Sequence, residues 1–289
     1  MRIRTAVYFC CIVISLPTLI SCSKPNNSNQ NPSPKQITHS EFVPPGYTIR
    51  FNDEFESLDL DLDGDGSSTW APWWVDWNVR FLEGNDDKAW KCDESYKGSG
   101  QTSLDVVLHE ITKDQTLRLY GKQTPKDKLN IVYQKPFIGG MISANNSYSQ
   151  TYGYWEIKCK FDVSQGHHWA VWLLPADNSW PPEIDIVEVV GHQPKQAHCN
   201  AHGSPTKDTF TSRHIDTVAN YHIYGFEWTP EEMIWTLDGE EHLRIPNYIK
   251  KPMYFLVSPE IGGQWTKMPN STTVWPTVCE IDYIRIYTK

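Results

Sequence analysis

From about Glu41 onward the chain contains only short runs of alternating apolar and polar residues, punctuated by Gly, Pro, Asn and Asp, with no long helical periodicity and no internal repeat. Alternation of period two puts successive side chains on opposite faces of a strand, so such a chain buries its apolar half by pairing strands and packing sheet on sheet. The clearest run is 154–161, where Trp155, Ile157, Cys159 and Phe161 share one face and Tyr154, Glu156, Lys158 and Lys160 share the other, expected to be wet. Ile234-Trp235-Thr236-Leu237, then Asp238-Gly239, then a run through His242-Leu243-Arg244-Ile245 predicts a hairpin, because both central residues of a type I′ turn need φ > 0. Further strands are expected at 117–120, 141–143, 223–228, 254–258 and 279–287. Together these predict an all-β fold, a two-sheet antiparallel sandwich of jelly-roll type.

The N-terminus follows a different logic. Arg2 and Arg4 precede an apolar stretch, 6–16, that is too short to span a bilayer as a mature helix, so residues 1–21 read as a signal peptide. Its end, Leu19-Ile20-Ser21-Cys22, resembles the bacterial lipobox, which implies acylation of Cys22 and a lipid anchor in the bacterial cell envelope, at the outer membrane or cell surface. Residues 22–40 are rich in Pro, Asn and Ser and read as a flexible tether, leaving 41–289 as the sandwich domain. Of seven Cys, four (Cys92, Cys159, Cys199, Cys279) remain for that domain, and their spacing matches no zinc pattern; disulfides and free buried thiols both stay open.

A net charge of −9 argues against a nucleic-acid partner, which needs a basic face to neutralise phosphates, and weighs against a highly sulfated or uronic polymer. The 13 Trp and 14 Tyr exceed what core filling requires and suit stacking on sugar rings.

The segment Glu183-Ile184-Asp185-Ile186-Val187-Glu188-Val189-Val190 embeds three acids among β-branched residues that otherwise demand a buried strand. On a regular strand Glu183 and Asp185 share a face and Glu188 points to the other. A one-residue bulge between Asp185 and Glu188 restores Glu188 to their side. Retaining glycosidases need two carboxyl groups about 5–5.5 Å apart, one attacking the anomeric carbon and the other protonating the leaving oxygen. Three acids lining one groove can supply that pair, with like charge holding the acid protonated.

At these residues the sequence resembles glycoside hydrolase family 16 in its bulged Glu-x-Asp-x-x-Glu form, and the resemblance extends over most of 48–288, through Asn52-Asp53-Glu54-Phe55, Tyr152-Gly153-Tyr154-Trp155-Glu156 and Ile281-Asp282-Tyr283-Ile284-Arg285. The Ser179-Trp180-Pro181-Pro182 lead-in is similar to laminarinase-like and exopolysaccharide-cutting members. The resemblance implies a jelly roll with an open substrate cleft on its concave face, Glu183 as nucleophile, Asp185 as its assistant and Glu188 as acid/base. It implies sugar contacts from Asn85, Trp90, Trp180, His202, His168 and Trp172, and a structural calcium ion at Glu54 and Asp282, with no catalytic cofactor. Two departures from the laminarinase-like pattern loosen the sugar: His168 stands where Trp is usual, and Val257-Ser258 where Leu-Asn is usual. The implied activity is a monomeric, endo-acting, retaining hydrolase of β-1,3- or mixed β-1,3/1,4-glucan. The alternatives are a hydrolase of algal galactan (agar, porphyran or carrageenan) or of bacterial exopolysaccharide and, from another class, a glycan-binding surface lipoprotein without chemistry. Transglycosylation is open to any covalent glycosyl-enzyme. Residues 59–66 begin like a calcium loop, but position twelve is Trp70 where an EF-hand needs Glu, so a complete EF-hand is excluded.

Overall fold

A computed structural model describes residues 35–37, 40–75, 79–81 and 86–289. The signal peptide, Cys22, most of the tether and Asn85 lie outside the described residues. The strands, in chain order, are β1 (Thr48–Asp53), β2 (Ala89–Lys91), β3 (His109–Ile111), β4 (Leu117–Gln123), β5 (Phe137–Gly139), β6 (Ile142–Ser143), β7 (Gly153–Asp162), β8 (His167–Pro175), β9 (Glu183–Val190), β10 (Gln196–His202), β11 (Thr209–His214), β12 (His222–Trp228), β13 (Glu232–Leu237), β14 (Glu240–Pro246), β15 (Met253–Ile261) and β16 (Thr277–Thr288). They form a 10-stranded sheet in the order β14-β13-β12-β7-β16-β4-β5-β2, with β1 on β16 and β3 on β4, and a 6-stranded sheet in the order β11-β10-β9-β8-β15-β6. Pairing is antiparallel as expected, except between β2 and β5.

The two sheets meet through their alternate residues. Trp155, Ile157, Cys159 and Phe161 of β7 lie in one buried cluster with Trp169, Val171 and Leu173 of β8 and Ile184 and Val189 of β9. Each such side chain removed from water contributes about 1.5–3 kcal/mol, so the sandwich is held by its interior face. The predicted hairpin is β13–β14, with Asp238 at φ 50° and Gly239 at φ 79°.

The other face of β7 is drier than alternation suggests. Tyr154 and Glu156 are buried, because Tyr154 packs between Tyr47 and Tyr287 and Glu156 Oε1 accepts the Tyr283 hydroxyl at 2.9 Å. Lys158 and Lys160 stay half exposed and pair with Asp282 and Glu280. Strands β1, β2, β3, β5, β8, β10 and β11 are absent from the sequence expectation. In β8 all nine residues are buried, so no polar face marks the period. Cys92, Cys159, Cys199 and Cys279 are free, buried thiols.

Candidate active site

Strand β9 occupies the middle of the 6-stranded sheet, and its pairing shows how the acids converge. Against β10, Asp185 faces Asn200 and Glu188 faces His198, so Ile186 and Val187 together oppose Cys199 alone. Against β8, Asp185 faces Trp172, Val187 faces Val171 and Glu188 faces Ala170, which leaves Ile186 as the extra residue. Ile186 and Val187 both lie in the core cluster. The predicted bulge therefore exists, and it returns Glu188 to the face of Glu183 and Asp185, turned away from the core.

That face is polar by construction. It carries His168, Ala170 and Trp172 from β8, Glu183, Asp185 and Glu188 from β9, His198, Asn200 and His202 from β10, and Ser258 and Glu260 from β15, each in register with its neighbours. Glu183 Oε2 accepts the indole N–H of Trp180 at 2.9 Å, and Trp180 is 66% exposed, free to meet a sugar ring. His202 Nε2 lies 3.6 Å from Glu183 Oε1 and 3.7 Å from Asp185 Oδ2. Its ring is fixed by Asp208 at 3.0 Å on Nδ1 and by Asn200 at 2.8 Å on Nε2. The backbone carbonyl of Asp185 accepts the indole N–H of Trp235 at 2.8 Å across the core, which anchors the strand at its central acid.

Electrostatics follow from the crowding. Burial pushes the Glu183 carboxyl up to about 7, partly opposed by His202 and Trp180 and reinforced by Glu188 and Glu260. Asp185 rises well above the usual carboxylate range through burial and the neighbouring Glu188 and Glu183. Crowded acids of this kind retain protons at neutral pH, the condition under which one carboxyl can act as acid while another stays ionised. Glu183, Asp185 and His202 bring their donor atoms within 4.8 Å of one another, but burial favours the neutral form of both carboxyls over the paired negative charges a cation seat needs.

The remaining expected sugar contacts are placed unevenly. Trp90 packs against Tyr96 and Tyr133 and lines with them and Arg80 a cavity of about 560 Å³ that includes none of the three acids. His168 and Trp172 lie on the acid-bearing face and are 3% and 6% exposed, as deeply set as Asp185 and Glu188. Trp172 lies edge-on to Trp74 and donates to Ser258 Oγ at 3.1 Å; His168 lies between Glu188 and Glu260, each at 3.2 Å. Sequence reasoning missed Glu260, Asp208, Asn200 and the ring set Phe210, His198 and Trp265, in which Phe210 and Trp265 are exposed beside the Glu188 end. Nothing within any one of these segments marks them; only strand register brings them to the acids.

The proposed calcium ligands do not fit an ion. Arg285 grips Glu54 with two bonds at 2.8 and 2.9 Å, and Asp282 accepts Lys35 and Lys158 at 2.6 and 2.8 Å. Cations already occupy the positions from which these carboxylates would bind a metal. The carboxylates of Asp61, Asp63 and Asp65 gather within 4.8 Å, yet the Asp61 carboxylate is already taken by the backbone amides of Gly64 and Gly66 at 2.7 and 2.9 Å.

A two-sheet β-sandwich with a bulged strand presenting three acids on an aromatic-lined outer face defines a carbohydrate-cleaving enzyme scaffold. Residues 109–277, more than half of the chain, match Glycosyl hydrolases family 16, and the chain belongs to that family. It is 32% identical over 253 residues to Endo-1,3-1,4-beta-glycanase EglC of Rhizobium meliloti (83% of this chain, 51% of the relative). It is 29% identical over 242 residues to Endo-1,3-1,4-beta-glycanase ExsH of the same organism (82% and 51%). The chain thus spans about half the length of these curated relatives. Its fold superposes with TM-score 0.68 on the catalytic domain of an endo-1,3-beta-glucanase from Thermotoga petrophila, at 21% identity, covering 84% of this chain and 98% of that one.

Proposed function

We propose that this protein is an endo-acting, retaining hydrolase of β-1,3- or mixed β-1,3/1,4-glucan, held at the bacterial envelope by a lipid on Cys22. The observation that carries the enzymatic reading is the bulge at Ile186, which sets Glu188 beside Glu183 and Asp185 on one face. Glu183 attacks the anomeric carbon, and Glu188 gives its proton to the departing glycosidic oxygen. Glu188 then takes a proton from the water that releases the sugar from Glu183. Asp185, between them on the strand, crowds the two glutamates so that the set as a whole retains a proton. No cofactor enters this chemistry, and calcium is no part of the reading. The glucan assignment is supported by the activities named for EglC and ExsH, at 32% and 29% identity.

The test is reducing-end release from laminarin, lichenan, agar, carrageenan and an acidic exopolysaccharide side by side, with anomeric configuration followed by proton NMR. Release from laminarin or lichenan with retained configuration is expected, and Glu183→Ala should abolish it. Release from none of the glucans would remove the substrate assignment, and binding without cleavage by the parent would favour a glycan-binding protein. The anchor is tested separately: Cys22→Ser should move the protein from the detergent phase to the aqueous phase of a membrane extract.

A further inference from the structure

We propose that Glu260 is a positioning residue that keeps His168 in its charged form, and that the His168 imidazolium in turn steadies and strengthens Glu188 as the acid. The proposal rests on the assignment of Glu188 as acid/base made above. The geometry is set by register: His168 and Glu260 are direct partners between β8 and β15, and Ala170, two residues along β8 from His168, is the partner of Glu188. The imidazole is only 3% exposed. Its Nδ1 donates to Glu260 Oε2 at 3.2 Å, and its Nε2 lies 3.2 Å from Glu188 Oε1, an ion-pair approach without hydrogen-bond alignment.

A neutral imidazole spends its one N–H on Glu260 and turns a lone pair toward Glu188, whereas the protonated ring turns an N–H toward the Glu188 oxygen as well, on the side where the carboxylate forms once Glu188 has given up its proton. Burial alone would strip the proton; the two carboxyls outweigh it and push His168 up to about 10. The other charged groups facing this set are Glu183 and Asp185 from β9 and His198 and His202 from β10. Beyond Glu260, Asp87 takes the backbone amide of Ile261 and is paired with Lys91, so that couple brings little net charge. Trp265 meets the His168 ring edge-on at 5.0 Å. The imidazolium therefore faces an excess of carboxylate.

The consequence belongs to the first half of the reaction. As the glycosidic C–O bond breaks, its electron pair goes to the leaving oxygen, which takes the Glu188 proton, and Glu188 becomes a carboxylate. A fixed cation 3.2 Å away stabilises that carboxylate as it forms. His168 neither gains nor loses a proton in the cycle.

Three measurements on the full chain test this, using His168→Gln and Glu260→Gln. In histidine-edited NMR, the signal missing from H168Q identifies His168; it should remain protonated to pH 8 in the parent and titrate at least one unit lower in E260Q. An unmoved signal overturns the role of Glu260. In the pH profile of kcat/KM on glucan, H168Q should shift the alkaline limb upward by about one unit, because Glu188 loses a nearby cation. An unmoved limb overturns the role of His168. With a dinitrophenyl β-glycoside, whose departure needs no proton, H168Q should lose far less than on polysaccharide, where a loss of roughly three- to tenfold is expected. Equal losses on both substrates would mean a packing role and sink the proposal. Glu188→Gln is the reference: if it fails to show the same split between substrates, the acid/base assignment itself is wrong, an outcome distinct from failure of the relay.

Discussion

A carboxyl that titrates at about 7 in the folded chain, against 4.5 ordinarily, binds its proton more tightly in the native state than in the unfolded one. Between those values the unfolded state carries fewer protons, so the contribution of Glu183 to stability falls as pH rises from about 4.5 to 7 and stays low above it. Glu183→Gln removes the burial cost of the charge. At pH 8 it should be more stable than the parent by on the order of 1–2 kcal/mol in urea unfolding, with the difference vanishing near pH 4. A variant equally or less stable at pH 8 would contradict the pH dependence assigned to this group. That cost is tolerated because the group works, as is common where sites are built from buried charge. The same residues show how far sequence reaches at this scale. Glu183, Asp185 and Glu188 stood out because acids interrupt an apolar β-branched run. Glu260 did not, because what gives it a role is an imidazole 92 residues away that only the β8–β15 register brings opposite.

At the scale of the strand, the functional unit is an irregularity. Deleting Ile186 would place Glu183, Asp185 and Glu188 at alternate positions of a regular strand, so that all three would still share one face without the bulge. The deletion should therefore keep measurable glucan hydrolysis while costing about 2–5 kcal/mol in urea unfolding through the lost burial of the Ile186 side chain. A folded deletion variant without any hydrolysis would refute same-face placement of the acids as what assembles the site. The β13–β14 turn offers an independent check on an element away from the acids. Gly239 has φ 79°, and a Cβ there would lie 2.3 Å from the Phe42 ring. Gly239→Ala should therefore destabilise by about 1–3 kcal/mol through strain and contact, measurable by thermal unfolding, with the pH profile unchanged. Both features were legible because each breaks a local rule: the bulge through parity, the turn through Asp-Gly. The strands beside them, β8 above all, gave no such signal, since burial on both faces erases the alternation that marks a strand.

Across the whole molecule, the 10-stranded sheet is closed on its outer side by the segment leading into and out of β1, and charge pairs fasten that segment. Lys35, within the predicted tether, already reaches Asp282, and the buried Glu54–Arg285 pair ties the end of β1 to β16. The resemblance to family members placed a calcium ion at Glu54 and Asp282, and sequence could not distinguish an ion from a side-chain cation as the partner of two acids. The distinction lies in Arg285, Lys158 and Lys35, which come from three separate places in the chain. If those cations do the work of the ion, chelation with EDTA should leave the unfolding temperature unchanged and added calcium should not raise it. Glu54→Gln should instead destabilise by about 3–5 kcal/mol, because it takes the carboxylate charge away from a buried guanidinium. A rise of several degrees on adding calcium, lost in Glu54→Gln, would show that the carboxylates release their cations for a metal and would restore the ion to the fold.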